Sequence, residues 1–446
     1  MKTICIFYKS VVLLLFAGLL MNPVVAQKTR TEQMTKVYDI SPSGTLILSA
    51  NRADIEILTW DRNEVKIVGE LTYEGDGEED EINTIFNAFK NMSAISSKDT
   101  LTSNLHIIAS AYSRKKSFLG ATEIITVLCN GDETSTLVYN YINYSYKIWI
   151  PATIAINAKC HWGKLKMASV KGNVNLTLQN NDLIMGNFGE SGIFDIKFSS
   201  ATIGNGGISK FHVMNSNVNV AETKNMTINA RFSTFKTVKA YNVSINSNNS
   251  NFDFETLNDI DVSARFSTIR IKNNVSKSKF DLNNSSLFGN NFQTMEISAR
   301  FSKLNVADIG DMRINTSDNS NFDFATVDIL SCQQSRFSTF KLHEIAIEAS
   351  FRDANNTNVK INKTGAAFKG FSGNFRFGTI DLIIHPNVQY NLRYNGTFGQ
   401  FDVSPDRFKT GFVSDKNGSV TTIQGTNANA KCNIELVTNN TTCRIR

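Results

Sequence analysis

A chain of 446 residues with 46 lysines and arginines against 40 acids carries a formal charge of +6, a balance too mild to suggest a nucleic-acid partner. Six cysteines over that length exclude a small disulfide-stapled fold, and the chain is long enough to bury a core of its own.

Residues 1–26 read as a signal peptide. Lys2 and Lys9 make a basic start, "VVLLLFAGLLM" is an apolar run, and Val24 and Ala26 supply small residues at a cleavage position. The run is too short to cross a bilayer, so the expectation is an exported protein without a transmembrane segment. Residues 27–155 read as an N-terminal β-rich cap. "GTLILSA", "ADIEILTW", "EVKIVGEL", "NLHIIASA" and "EIITVL" look like antiparallel-type strands. One amphipathic helix is expected near 79–92, where Ile82, Ile85, Phe86, Phe89 and Met92 share a face. The acidic "EGDGEEDE" (74–81) has the ligand type for calcium but not the spaced loop order. It suits the start of that helix, whose N-terminal dipole favours carboxylates.

From 156 to 404 a short pattern recurs. A Ser, Gly, Asn or Thr is followed by apolar residues two and four positions on: "STFKT" at Ser233, "SNFDF" at Ser250, "STIRI" at Ser267, "SKLNV" at Ser302. Successive markers are 17 to 21 residues apart. The alternation means strand, and a period this short suits one coil of a parallel β-solenoid. The predicted fold is all-β, a β-helix of about 14 coils rising ~4.8 Å each, with residues 405–446 as a C-terminal cap.

Placed in register, the residue before the marker alternates between Phe and Asn: Phe198, Asn215, Phe232, Asn249, Phe266, Asn284, Phe301, Asn319, Phe337, Asn356, Phe377. The alternation breaks only at Phe398, which follows Phe377 directly. One position earlier, arginine recurs on the Phe coils. Asn tolerates the left-handed backbone region, so this position is expected at a corner. The pairs Arg231–Phe232, Arg265–Phe266, Arg300–Phe301, Arg336–Phe337 and Arg376–Phe377 then form a stripe along the rod. Two readings are open: corner packing that codes the register, or a ladder that grips an extended glycan or peptide. Three positions after the marker, Lys236, Asp253 and Arg270 place opposite charges on adjacent coils, as do Asp323 and Lys341.

The stretch "YKIWIPATIAINAKCHWGKLKMASVKGNVNLTL" (146–178), with "GTLILSANRADIEILTWDRNEVKIVGEL" (44–70), resembles the putative-adhesin β-strand-repeat domains of bacterial envelope proteins. That family, a domain-of-unknown-function class, is similar in style to auto-transporter adhesin heads of the Bacteroidetes type. The resemblance covers most of residues 40–405 and implies a strand-repeat fold on an envelope protein, periplasmic, outer-membrane-associated or extracellular. It brings no catalytic residues. Serine here largely replaces the usual glycine beat.

No cofactor, metal or enzyme signature stands out. The five histidines are scattered without zinc spacing. The best carboxylate pair for a polysaccharide-active enzyme is Asp381 with Asp402, expected on adjacent coils. In an oxidising compartment the nearest cysteine pairs, Cys129–Cys160 and Cys432–Cys443, could form disulfides, with Cys332 left as a buried thiol. The expected function is a non-enzymatic, adhesin-like binding or scaffolding rod whose partner is a glycan or a surface protein. A β-helix enzyme, or an envelope sensor acting through its N-terminal cap, are the alternatives.

Overall fold

The computed structural model describes residues 28–75, 79–92, 94–97, 99–105, 109–117, 120–129, 132–138, 141–408 and 411–446, without the side chains of Glu81 and of residues 106–142. The signal-peptide segment and the Cys129 side chain lie outside the described residues.

The chain winds into a parallel β-solenoid of about 13 turns. A typical turn, or rung, is a 15-residue strand followed by a two-residue corner. Asn217–Arg231, Thr234–Asn248 and Asn251–Arg265 are three in succession. Each pairs in parallel with the next, residue for residue. Along Thr234–Asn248 inward and outward side chains alternate, and the alternation slips at Val238–Lys239 and again at Tyr241–Asn242, where two outward side chains follow one another. The inward set on this rung is mostly apolar, Phe235, Ala240, Val243 and Ile245, with Thr237 and Ser247 as its polar members.

Like positions stack into columns. Val218, Phe235, Phe252, Ile269, Leu287 and Leu304 form one, all buried. Aromatic rings stack along such columns, with Phe322 and Phe340 parallel at 4.5 Å and Phe194 and Phe211 at 4.8 Å. Each large buried side chain contributes roughly 1.5–3 kcal/mol, but only once a neighbour covers it. A lone rung therefore has no stable existence.

Both ends depart from the expected boundaries. Thr45–Trp60 pairs in parallel with Ala155–Met167, so "GTLILSANRADIEILTW" is one rung of the stack and not two antiparallel strands of a cap. Alternation reports a strand but not the direction of its neighbour. Beyond it lie two half-rungs, Thr100–Leu105 and part of Tyr141–Pro151. Glu64–Gly75 and then Lys28–Asp39 follow in antiparallel pairing, which ends the stack. The expected helix is present as Glu79–Lys90, with Ile82, Ile85, Phe86 and Phe89 buried and Met92 packed against the core. Glu32 holds it at two points: Lys90 bonds to this carboxylate and keeps it below the ordinary carboxylate range, and Arg30 bridges Glu32 to Asn83.

At the other end, Cys432–Ile445 does not lie outside the rod. It is inserted between Gly370–Leu382 and the rung made of Tyr390–Thr397 and Gln400–Val403, parallel to both. Only Val420–Thr426 and Gly411–Asn417, a hairpin antiparallel to Tyr390–Thr397, act as a cap. This order corrects the disulfide expectation. Cys432 and Cys443 are free and buried on one strand, Cys432 beside Tyr390 and Cys443 beside Ile380. Cys160 is also a free buried thiol, filling an apolar slot between Ala50 and Leu178. Burial alone pushes the Cys160 and Cys432 thiols up to about 12.

Candidate functional site

The corner between rungs is built from two residues with different duties. The first has a positive φ on every rung: Phe198, Asn215, Phe232, Asn249, Phe266 and Asn284 all lie between 49° and 52°. This left-handed region is open to Asn at little cost, whereas other L-residues lose roughly 1–2 kcal/mol there. The second residue is the serine marker, and it is buried.

A count of corner hydrogen bonds explains the serine. The N–H of Phe232 donates to the Asn248 carbonyl, and that of Thr234 donates to the Ser216 carbonyl. The N–H of Ser233 lies between them without a carbonyl. It donates instead to the Ser250 hydroxyl at 3.2 Å, while the Ser233 hydroxyl donates to the Arg231 carbonyl at 2.7 Å. The pattern repeats from Ser199 to Ser338. A buried N–H without a partner costs roughly 1–3 kcal/mol, and a side-chain oxygen on every rung removes that cost. The serine beat is therefore scaffold.

The residues outside the serine are free of that duty. Phe198, Phe232, Phe266, Phe301, Phe337, Phe377 and Phe398 are 50–68% exposed. Trp162 continues the line with φ 59° and similar exposure. The sequence pattern starts the corner series at Phe198 and does not reach this ring, which stands before Gly163 where most other corners have a serine. Each αL asparagine from Asn249 on bonds the side chain before it, as Asn249 does to Asn248 at 2.7 Å. The Phe rungs have no such local bond.

The inserted C-terminal strand repairs the alternation that fails in the sequence. Arg376 and Thr397 both register with Asn439, so Asn440, with φ 48°, stands between Phe377 and Phe398. In space the order is Phe, Asn, Phe. The same strand corrects the carboxylate pair. Asp381 and Asp402 are not on adjacent rungs, because Arg444 registers with both, and Arg446 bonds Asp381 at 3.0 Å.

Beside the ring line runs the arginine column, in register through Arg231, Asn248, Arg265, Asn283, Arg300, Asp318, Arg336 and Asn355 to Arg376. All five arginines are exposed. Among the described residues only Arg300 has an acidic partner, Asp318 at 3.9 Å. Elsewhere cations meet acids on the neighbouring rung: Lys239 with Glu222 at 2.8 Å, Lys272 with Glu255 at 2.9 Å, Lys363 with Glu344 at 2.7 Å. Of the expected charge ladder, Arg270 and Asp253 approach to 3.8 Å. A shallow groove of about 630 Å³ borders the ridge, lined by Arg231 and Arg265 with Asn229, Asn246 and Asn248. On its other side Thr234, Asn251, Thr268 and Ser286 form a column of uncharged hydrogen-bonding groups.

A larger groove of about 820 Å³ runs along another stretch of the rungs over a floor of Met226, Val243, Ile260, Met295 and Met312. Its charges alternate rung by rung, Asp261, Lys279, Glu296, Arg313.

No family description and no curated protein matches the chain. Among solved structures, a putative cell adhesion protein from Clostridium sporogenes aligns over 94% of this chain and 99% of its own, at 9% identity and a TM-score of 0.16. So low a score carries no argument. Among the described residues no helix is long and apolar enough to cross a membrane.

Proposed function

We propose that the protein is an exported, non-enzymatic, adhesin-like rod of the bacterial cell envelope that binds an extended polymer along the Arg–Phe ridge. One observation carries this reading. The corner needs an αL residue, and Asn fills that need on alternate rungs, yet seven rungs place a phenylalanine there, strained and half or more exposed. Neither backbone preference nor burial accounts for that choice. Recognition does, since aromatic and arginine side chains dominate binding surfaces.

A sensor acting through the N-terminal cap would be favoured by an exposed apolar helix face, and Ile82, Ile85, Phe86 and Phe89 of that helix are buried. The test is a Phe232→Asn/Phe266→Asn/Phe301→Asn variant, which keeps the corner geometry. Screened on glycan arrays and in pull-downs from envelope extracts beside the wild type, it should lose most of its binding. Binding unchanged by the variant would remove the ridge from consideration.

A further inference from the structure

We infer that the polymer held by the ridge is an acidic polysaccharide with one anionic group per disaccharide; this rests on the ridge reading above. Three features point to it. The first is period. Like residues recur every two rungs, ~9.6 Å at the sheet spacing, close to the advance of an extended disaccharide. The line from Trp162 to Phe398 keeps that period along most of the rod. A ligand that uses it must itself repeat by translation, which a polysaccharide does by construction and, among folded proteins, only a repeat fold does.

The second feature is charge. Arg231, Arg265 and Arg300 are separated on the intervening rungs by Asn248 and Asn283, which neither neutralise nor repel an anion. Of the three, Arg300 alone meets an acid on the next rung, Asp318 at 3.9 Å; among the described residues Arg231 and Arg265 have no such inter-rung partner, so their guanidinium forks are left for an external acceptor. Planar guanidinium groups suit carboxylate and sulfate. The third feature is the order of groups across the ridge. A sugar ring offers a flat C–H face to stack on Phe, hydroxyls for Thr234, Asn251 and Thr268, and an anionic group for the arginine column on the far side. The unbroken arginine stretch, Arg231 to Arg300, spans two intervals, ~19 Å, and its three arginines would meet the anionic groups of three successive disaccharides. Asp318 then interrupts it.

The experiment measures binding of the full chain to hyaluronan oligosaccharides of two to eight disaccharides, with neutral chitin oligosaccharides of matching lengths as the contrast. Affinity for the acidic series should rise steeply up to three or four disaccharides and fall with added salt. Arg231→Ala/Arg265→Ala/Arg300→Ala should weaken it by about tenfold or more. A second variant, Asn248→Asp/Asn283→Asp, keeps every arginine and places an acid beside each; it should weaken binding by a similar factor. Equal binding of the neutral series would overturn the assignment. So would binding of neither series while the ridge still captures a protein or a second copy of this chain. In both cases the ridge reading survives, because ridge-dependent binding is what the asparagine variant scores.

Discussion

The corner ridge and the larger groove are made by the same rungs, yet they handle charge in opposite ways. Along the groove, Asp261, Lys279, Glu296 and Arg313 alternate in sign, so each charge has its counterpart one rung away. A slip by one rung would set like charges together, which makes this face a register code. Along the ridge, cations alternate with neutral asparagine, and the charge is never cancelled until Asp318. Periodicity is common to both faces. Only the uncancelled one has capacity left for something outside the molecule.

Three tests would break or sharpen that contrast. The largest effect is expected beneath the ridge. Ser267→Val removes the acceptor for the Ser250 N–H and the donor to the Arg265 carbonyl, and should cost about 2–3 kcal/mol in denaturant unfolding. A cost below 0.5 kcal/mol, on the order of a surface change, would mean the serine ladder is not structural. Next comes the groove. Lys279→Glu places three acids in a row and should cost about 1 kcal/mol, less at high salt. No salt dependence would remove the register role. The smallest effect has the opposite sign. Phe232→Asn and Phe266→Asn relieve backbone strain and should leave stability unchanged or raise it by about 1 kcal/mol per site. A clear loss of stability would return the phenylalanines to the scaffold.

Much of this was legible in the sequence because a solenoid writes its geometry locally. The 17-residue beat, the inward Phe235 and Thr237, and the corner at Phe232 and Asn249 follow from spacing alone, and the structure places each as expected. What spacing could not give was the order of strands. Phe377 and Phe398 stand 21 residues apart and look like neighbours, but a strand more than 30 residues downstream lies between them. Nothing local in "CNIELVTNNTTCRIR" states which gap it fills, although its "NNTT" carries the same αL-asparagine and buried hydroxyl, Asn440 and Thr441, as the earlier corners. The cysteines differ from expectation for the same reason. Proximity in sequence suggested Cys432 with Cys443, while the fold spends both as small apolar fillers in separate columns.

That inserted strand also bears on how the rod is assembled. A chain delivered from its N-terminus can settle each rung of the repeat on the one before, so most of the stack grows in the order of synthesis. Residues 432–445 are an exception, because they enter a slot between two rungs laid down before them. The far tip must therefore stay open until they arrive. A rod with a closed tip is one whose synthesis has run through to that strand, and resistance of the tip to proteolysis would report its arrival.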